Sequence, residues 1–410
     1  MSKVKKMEMM LILIMTFFIS SALGEENGTS LFEAFTKGKV NGSLKSYYFT
    51  QSFDGAGKND SHIRTYGGNL KYVTGQFYGL NLGANFQGSF VGYKDDPDNK
   101  TAGSMDAQGV LLSEAYVQYE IYETQLKGGR QFFKSPLLAG SGSRLLNESF
   151  ETYLITNKGI PNTIITAGLA RKYQTRTDKS NYGDNWFVNF EENGTGEPGE
   201  FYDIGNDGMY FIYLKNNSIK NLDIQTQYAN VVDEVSALYA DARYQFDVAL
   251  NPYFAAQYYH SYYDASTNKD NYLYGLKTGL NIAGIDLFAG YSSAGGSAGD
   301  TRVFRGVGQS AYYQYTSTTK TAGNNAFEAG TKAYQLGVSH HFKGLNSMFK
   351  FTNFDNPNVN AGLEEYTLNF LYNFSGYFKG FKISIDFSVL DYEENTKDAT
   401  DLRSRLIYSF

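Results

Sequence analysis

The last ten residues, DLRSRLIYSF, place two arginines two positions apart on one face of an alternating segment. Arg403 and Arg405 share that face, and the opposite face is apolar, with Leu402, Leu406, Tyr408 and Phe410. Arginine binds carboxylates through a planar fork of donors, so two arginines side by side favour a role in binding anionic groups. The alternative is that both arginines solvate a polar wall and brace it in ion pairs.

Four more basic residues fall on the polar side of alternating segments when faces are assigned from the apolar neighbours. They are Lys45, Arg243, Lys277 and Lys350, and with Arg403 and Arg405 they could form a basic ladder along one wall. The acidic candidates on polar faces are Glu114, Glu120, Asp241 and Asp386. For each single charge, cross-bracing of the wall explains the position as well as contact with a solute does.

The sequence offers little for catalysis or for metal binding. Its histidines, His62, His260, His340 and His341, are not part of an H-E-x-x-H motif, and no G-x-S-x-G motif is present. We therefore expect no enzyme activity and no cofactor. Asp95, Asp96 and Asp98 supply oxygen ligands of the kind that calcium prefers, but the solvated tip of a loop explains them better.

The amino-terminal residues have the order of a secretory signal peptide. Three lysines precede an apolar run over residues 11–19, and the small residues Ala22 and Gly24 follow. This order predicts that residues 1–24 are removed on export and that residues 25–410 form a single domain.

Composition narrows the class of protein further. Cysteine is absent and the formal net charge is −6, which excludes disulfides and argues against a nucleic-acid partner. Aromatic residues make up 16% of the chain, with 35 Tyr and 31 Phe against 1 Trp, and 43 Gly accompany them. A chain so rich in Tyr and Phe is typical of a sheet with one apolar face and one face in contact with water.

Alternation of apolar and polar residues is the dominant pattern of the chain. Residues 80–87, 366–373 and 381–388 show it clearly. We count about eighteen such segments of roughly ten residues, the length that a tilted strand needs to cross a bilayer. They begin near Val40, Arg64, Leu80, Glu114, Thr124, Ser149, Thr163, Met209, Leu222, Ser236, Asn251, Asn271, Ile285, Lys332, Ser347, Glu364, Phe381 and Ala399.

The connections between these segments alternate between long and short. The long ones span residues 55–61, 94–113, 134–147, 172–208 and 292–331, whereas residues 122–123 and 283–284 are tight turns. This asymmetry predicts an all-β transmembrane antiparallel β-barrel with short periplasmic turns, long extracellular loops and both termini in the periplasm. The strand that ends at Phe410 must then close on the first strand, because a membrane does not tolerate a free strand edge. A soluble sandwich or propeller would not show the asymmetry.

A barrel of this size encloses water, so a channel for solutes is the default function. The stretch FFKSPLLAGSGSRLLN, after the fifth strand, combines Leu137 and Leu138 with a lone Arg144. An apolar loop with an embedded arginine suits insertion into a lumen, and we predict that residues 132–148 constrict the pore. The alternative is an ordinary surface loop with a small hydrophobic cluster.

Three motifs resemble the outer-membrane porin D (OprD) family of substrate-specific channels. LKSYYFTQSFD (44–54) resembles its first strand, SRLLNESFETYLITNKGI (143–160) the exit of its third loop, and DLRSRLIYSF its closing strand. The resemblance implies a third loop in the pore and an arginine-lined track for small carboxylate-bearing solutes such as amino acids, small peptides and organic acids. It places Arg144, Arg403 and Arg405 on that track. Lys45 stands where the family usually has arginine, and Asn147 where it usually has proline.

Two other functions stay open at this point. A general or sugar porin would use lumenal tyrosines as a stacking surface, and a structural or adhesive barrel would bind a partner through residues 172–208 and 292–331. Besides small solutes, the expected partners are outer-membrane lipid, lipopolysaccharide and the barrel-assembly machinery, which would recognise the strand ending in Phe410. The sequence is compatible with a monomer or a homotrimer.

Overall fold

The computed structural model describes residues 30–55, 59–96, 105, 107–177, 187–188, 196–316, 326–358 and 362–410. The predicted signal peptide, residues 1–24, lies outside the described residues, as does Asp98. Within the described ranges no helix is both long and apolar enough to cross a membrane. A short helix, α1 (Leu31–Thr36), precedes the first strand and starts at a capping box formed by Ser30 and Glu33.

Eighteen antiparallel strands form the barrel, as the alternation predicts. In chain order they are β1 (Lys39–Phe53), β2 (Ser61–Val73), β3 (Leu80–Asp95), β4 (Gly109–Ile121), β5 (Thr124–Gln131), β6 (Ser149–Asn157), β7 (Thr163–Gln174), β8 (Met209–Asn216), β9 (Leu222–Val231), β10 (Val235–Gln245), β11 (Tyr253–Tyr263), β12 (Asn271–Ile282), β13 (Ile285–Ala294), β14 (Lys332–Phe342), β15 (Leu345–Asp355), β16 (Leu363–Asn373), β17 (Phe381–Tyr392) and β18 (Ala399–Ser409). Each strand pairs with the next, and β1 also pairs with β18. A short additional strand, Phe201–Asp203, joins the same sheet by pairing with the end of β7. The all-β, closed antiparallel architecture is therefore confirmed.

The closing seam depends on a glycine. Gly42 and Phe410 exchange backbone hydrogen bonds of 3.0 and 3.1 Å, which extends the pairing of β1 with β18 to the last residue. A Cβ atom on Gly42 would lie 2.9 Å from the Phe410 ring. The terminal aromatic ring therefore packs across the seam only because position 42 has no side chain.

The connections differ at the two ends of the barrel. At the end that we call the short-turn end, they cover residues 74–79, 122–123, 158–162, 217–221, 246–252, 283–284, 343–344 and 374–380. At the long-loop end they cover residues 54–60, 96–108, 132–148, 175–208, 232–234, 264–270, 295–331, 356–362 and 393–398. The asymmetry expected from the sequence is present, with residues 232–234 as a tight turn among the longer loops.

Strand β4 begins at Gly109, earlier than the start near Glu114 that alternation predicts. The register shifts between Asn85 and Phe86, so that Asn85 pairs with Glu114 but Phe86 pairs with Leu112. Such a bulge inserts one extra residue, so the positions whose side chains face the interior shift by one. A strict period of two therefore stops at the bulge although the strand continues.

Two loops of the long-loop end pair with each other in a small separate sheet. Lys134–Ser135 pairs with Leu138–Ala139, and Leu138–Ala139 pairs with Val307–Gly308 from the loop over residues 295–331. Leu137, Leu138 and Val307 are fully buried in one cluster with wall residues such as Phe150 and Tyr259. We call the described residues of these two loops, 132–148, 295–316 and 326–331, the plug, and the interior core of this protein is the contact between the plug and the wall.

The outer face of the wall carries exposed apolar and aromatic side chains. Leu44, Leu70, Phe86, Leu276, Leu336 and Leu406 are all exposed there. The same face carries much of the tyrosine excess, namely Tyr258, Tyr262, Tyr272, Tyr274, Tyr334 and Tyr366. These tyrosines alternate with interior residues such as Gln257 and Lys277, so they point away from the lumen.

Candidate functional site

The six basic wall residues proposed from the sequence lie on the interior face. Lys45 Nζ donates to Leu145 O at 3.1 Å, and Arg405 Nε donates to Ser143 O at 2.8 Å, both in the loop over residues 132–148. Lys350 Nζ donates to Tyr315 O of the other plug loop at 3.0 Å. Arg403, Arg243 and Lys277 share this face through the alternation and the cross-strand register.

The two arginines of the closing strand are both engaged in ion pairs. Arg403 is only 3% exposed and makes two hydrogen bonds to Asp401, of 2.8 and 3.0 Å. Arg405 Nη1 lies 2.6 Å from Asp386 Oδ2 on the neighbouring strand. Both positive charges are thus balanced locally, and this geometry favours bracing of the wall over the solute contact that their spacing suggested.

Loop 132–148 crosses the interior and touches opposite sides of the wall. The Leu137 N–H donates to Gln227 Oε1 on β9 at 2.8 Å, while Ser143 O accepts from Arg405 on β18. The loop arginine, Arg144, is only 7% exposed. In this arrangement its side chain presents little surface to a passing solute.

Asn147 has a specific use where the resembling family usually has proline. Its backbone N–H donates to Gln87 Oε1 at 2.9 Å, and Gln87 Nε2 donates back to Asn147 O at the same distance. Proline has no N–H to give, so it would remove one of these two hydrogen bonds. Asparagine at position 147 therefore allows both hydrogen bonds to Gln87 on β3, and these bonds hold the loop to the wall.

The second plug loop is fixed to the wall by tyrosines. Tyr313 Oη donates to Asp241 Oδ2 at 3.1 Å, and the Tyr313 N–H donates to Gln257 Oε1 at 3.0 Å. Tyr259 Oη donates to Ala311 O at 2.9 Å. These contacts lie on β10 and β11, so Asp241, a proposed lumenal acid, serves here to hold the plug.

Arg243 and Lys277 differ from Arg403 and Arg405, which form ion pairs with Asp401 and Asp386. In the part of the chain that is described, neither residue has a carboxylate within ion-pair distance. Each lies instead over an aromatic ring. The Arg243 guanidinium is 4.0 Å from the centre of the Tyr253 ring, and Lys277 Nζ is 4.7 Å from the centre of the Phe288 ring. A ring face stabilises a cation without cancelling its charge.

Two glycines allow the rings to lie flat against the wall. A Cβ atom on Gly279 would lie 2.6 Å from the Tyr253 ring, and one on Gly337 would lie 2.0 Å from the Phe288 ring. Both distances are too short for a side chain at either position. The rings of Tyr253 and Phe288 therefore lie against the wall of β11–β14 beneath the two cations. We call Arg243, Lys277 and these two rings the cation floor.

A recess opens next to the cation floor at the short-turn end. Its volume is about 360 Å³, and its lining includes Arg243, Gln245, Tyr253, Asn281, Asp286 and Phe288. Arg243 Nη2 donates to Gln245 Oε1 at 3.3 Å, and Asn281 Nδ2 donates to Asp286 Oδ1 at 2.7 Å. The recess has the size of a small-molecule site and contains both signs of charge.

Several lysines of the interior face, among them Lys71, Lys127 and Lys382, were not identified from the sequence. Lys71 forms an ion pair of 2.8 Å with the buried Glu114, and Lys127 Nζ lies 3.7 Å above the Tyr116 ring. Lys382 lies close enough to Lys45 for their charges to interact. Each has apolar or glycine neighbours in the sequence, so the same face rule would have found all three. The fourth acid proposed, Glu120, accepts from Gln118 and Gln125 near the short-turn end.

The possible calcium ligands do not come together in the described residues. Asp95 ends β3 and Asp96 follows it, while Asp98 is outside the described ranges. Over those ranges no group of three or more His, Asp or Glu side chains is placed to hold a metal ion.

The chain matches the profile of the family described as outer membrane porin, OprD family, over residues 99–402. No curated protein matches it. Among solved structures, the fold resembles OccK9 (OpdG) of Pseudomonas aeruginosa, with a TM-score of 0.75 and 17% identity over 92% of this chain and 99% of that chain. It also resembles OccAB1 of Acinetobacter baumannii, with a TM-score of 0.74 and 16% identity over 94% and 99%. OpdK of Pseudomonas aeruginosa, solved with vanillate, has a TM-score of 0.72 and 15% identity over 92% and 99%. At these identities the likeness to solved structures shows the fold alone.

Proposed function

This chain belongs to the OprD family of outer-membrane porins, and from that premise we propose that it is a passive channel preferring small anionic solutes, above all carboxylates. The observation that carries the preference is the cation floor. Among the described residues, Arg243 and Lys277 are interior cations without a carboxylate within ion-pair distance, and positive charge of this kind on a pore wall attracts anions. Lys350 and Arg243 both lie within electrostatic range of Lys277, so the field of these cations adds up on one wall. The vanillate in the similar OpdK structure is itself a carboxylate.

The plug supplies the constriction in this proposal. Loop 132–148 crosses the interior between β9 and β18, and it divides the interior at the level of Arg405 and Lys45. A solute then passes beside the plug and next meets the cation floor. The short-turn end, where β1 begins and β18 ends, faces the periplasm. The strand that ends in Phe410 is the segment that the assembly machinery recognises.

The sugar-porin alternative has less support. It needs a run of tyrosines along the lumen, whereas Tyr258, Tyr272, Tyr274 and Tyr334 lie exposed on the outer face. Interior tyrosines such as Tyr239 and Tyr259 are buried against the plug. Aromatic side chains with a hydroxyl suit the membrane–water interface, which explains the tyrosine excess without a stacking surface.

Ion selectivity in a planar bilayer tests this function. Under a gradient of KCl, the wild type should show discrete conductance steps and a reversal potential that indicates anion preference. Arg243→Gln/Lys277→Gln should lower the ratio of chloride to potassium permeability by about threefold or more, because two unbalanced charges leave the wall. The matched control is Lys220→Gln/Lys343→Gln, which removes two cations from exposed turns at the same end.

The control should keep the wild-type reversal potential. An equal shift in both variants would mean that net charge, and not the cation floor, sets the preference. Folded protein without any conductance would contradict the channel itself.

A further inference from the structure

We propose that the recess beside the cation floor is a subsite for zwitterions, meaning small solutes that carry one carboxylate and one ammonium group. The inference rests on the proposed function as a solute channel and names the solute class that this part of the wall would retain. It goes beyond a general anion preference because it assigns a role to an acid, Asp286.

The first step is the state of the positive group. Arg243 is exposed to the lumen, is held over the Tyr253 ring and donates to Gln245 Oε1. Gln245 is itself fixed, because its Nε2 donates to Asn251 O and to Pro252 O at 2.5 and 3.1 Å. The guanidinium is therefore oriented by an amide and a ring, and its remaining donors are available to a carboxylate.

The second step is the state of the negative group. Asp286 lies on β13 beside Asn281, whose Nδ2 donates to one carboxylate oxygen at 2.7 Å. Within the described ranges, no lysine, arginine or histidine lies within ion-pair distance of Asp286. An oriented carboxylate without a cation is available to an ammonium group.

The third step is that the two groups share one recess without pairing with each other. Elsewhere on the interior wall opposite charges meet directly, as in Lys71–Glu114 at 2.8 Å and Arg405–Asp386 at 2.6 Å. Arg243 and Asp286 both line the recess of about 360 Å³ but make no ion pair. Two unpaired opposite charges, kept apart across a cavity, are complementary to a molecule whose own opposite charges are separated.

A consequence for discrimination follows from this arrangement. A monoanionic carboxylate can satisfy Arg243 but meets repulsion from Asp286, whereas a zwitterion can satisfy both groups. The recess therefore favours a zwitterion over a monoanion of equal size. Asn281, Gln245 and the Tyr253 ring orient the two charged groups, since Asn281 donates to Asp286 and both Gln245 and the ring contact Arg243.

Flux of L-alanine and L-lactate into proteoliposomes tests the subsite, because the two solutes differ in an ammonium group against a hydroxyl. Both should be measured as labelled solutes through wild type, Asp286→Asn and Asp286→Ser. We expect alanine flux to fall by about threefold in both variants, as for the loss of one exposed ion pair. Lactate flux should stay level or rise, because a negative charge is removed.

The matched control is Asp247→Asn, in the turn over residues 246–252 at the same end. The hydrogen bond from Lys220, at 2.9 Å, lowers the pKa of the Asp247 carboxyl, so the control also removes an ionised carboxylate. It should leave both fluxes unchanged.

The outcomes separate this inference from the proposed function. Unchanged alanine flux in both Asp286 variants, with conductance intact, would overturn the zwitterion subsite and leave the channel in place. If lactate flux rose in the Asp286 variants while alanine flux did not change, the subsite would also be overturned, because the loss of one negative charge would explain that result. If neither solute passed through folded wild-type protein, the proposed channel function itself would be contradicted.

Discussion

Leu138→Asp should raise the single-channel conductance of this protein by about twofold or more, because it should expel the plug from the lumen. Leu138 has no exposed surface and pairs on both sides, with Ser135 and with Val307. A carboxylate buried there without a partner costs several kcal/mol, and the loops can avoid that cost by leaving the wall. The barrel should persist, since the sheet of the plug is separate from the barrel sheet.

The control for this prediction is Leu138→Met, which keeps the side chain apolar and close to its original volume. It should keep the wild-type conductance, and both variants should show the heat-modifiable electrophoretic mobility of a folded barrel. A folded Leu138→Asp variant with unaltered conductance would show that the plug does not limit the open area. Increased current noise with the same mean would instead indicate that the plug moves without leaving.

Arg403→Met should destabilise the barrel by about 3 kcal/mol or more, because it leaves the Asp401 carboxylate buried without a partner. Asp401 is 2% exposed, and it accepts two hydrogen bonds of 2.8 and 3.0 Å from Arg403. Removal of one member of a buried pair costs far more than the pair contributes as a whole. The measurement is the free energy of unfolding by urea in detergent micelles.

The double variant Arg403→Met/Asp401→Leu is the informative control. It should recover most of the lost stability, because it removes the stranded carboxylate together with its cation. The reversal potential of this double variant should equal that of wild type, since the pair is neutral in sum. A double variant as unstable as Arg403→Met alone would contradict the pairing argument. A shifted reversal potential would restore Arg403 to the set of residues that act on solutes.

These predictions divide the basic residues of the wall into two groups. Arg403 and Arg405 belong to the seam between β18 and its neighbours, where Asp401 and Asp386 balance them. Arg243 and Lys277 belong to the cation floor, and within the described residues neither forms an ion pair, although Asp223 lies opposite Arg243 on β9 and Asp286 lines the same recess. The first group should control stability, and the second should control which ions pass.

The sequence by itself determined the barrel and the interior face of the six basic wall residues that it singled out. A strand alternates its side chains with a period of two, so apolar neighbours at Leu276 or Leu406 are enough to place Lys277 or Arg405 on the opposite side. The long and short connections and the apolar strand ending in Phe410 determined the closed topology in the same way. These features are local, and they follow from the covalent geometry of the chain.

Only the tertiary structure decided which charges are free. Arg405 meets Asp386 through the register between β17 and β18, and Leu138 meets Val307 across a long separation in sequence. The recess that joins Arg243 and Asp286 draws on side chains from β10 to β14, and the rings beneath the cations need the small residues Gly279 and Gly337 on adjacent strands. Alternation gives the direction of a side chain, but it carries no information about what lies across the lumen. Ion pairing and the space between groups depend on that distance, and it exists only once the barrel has closed.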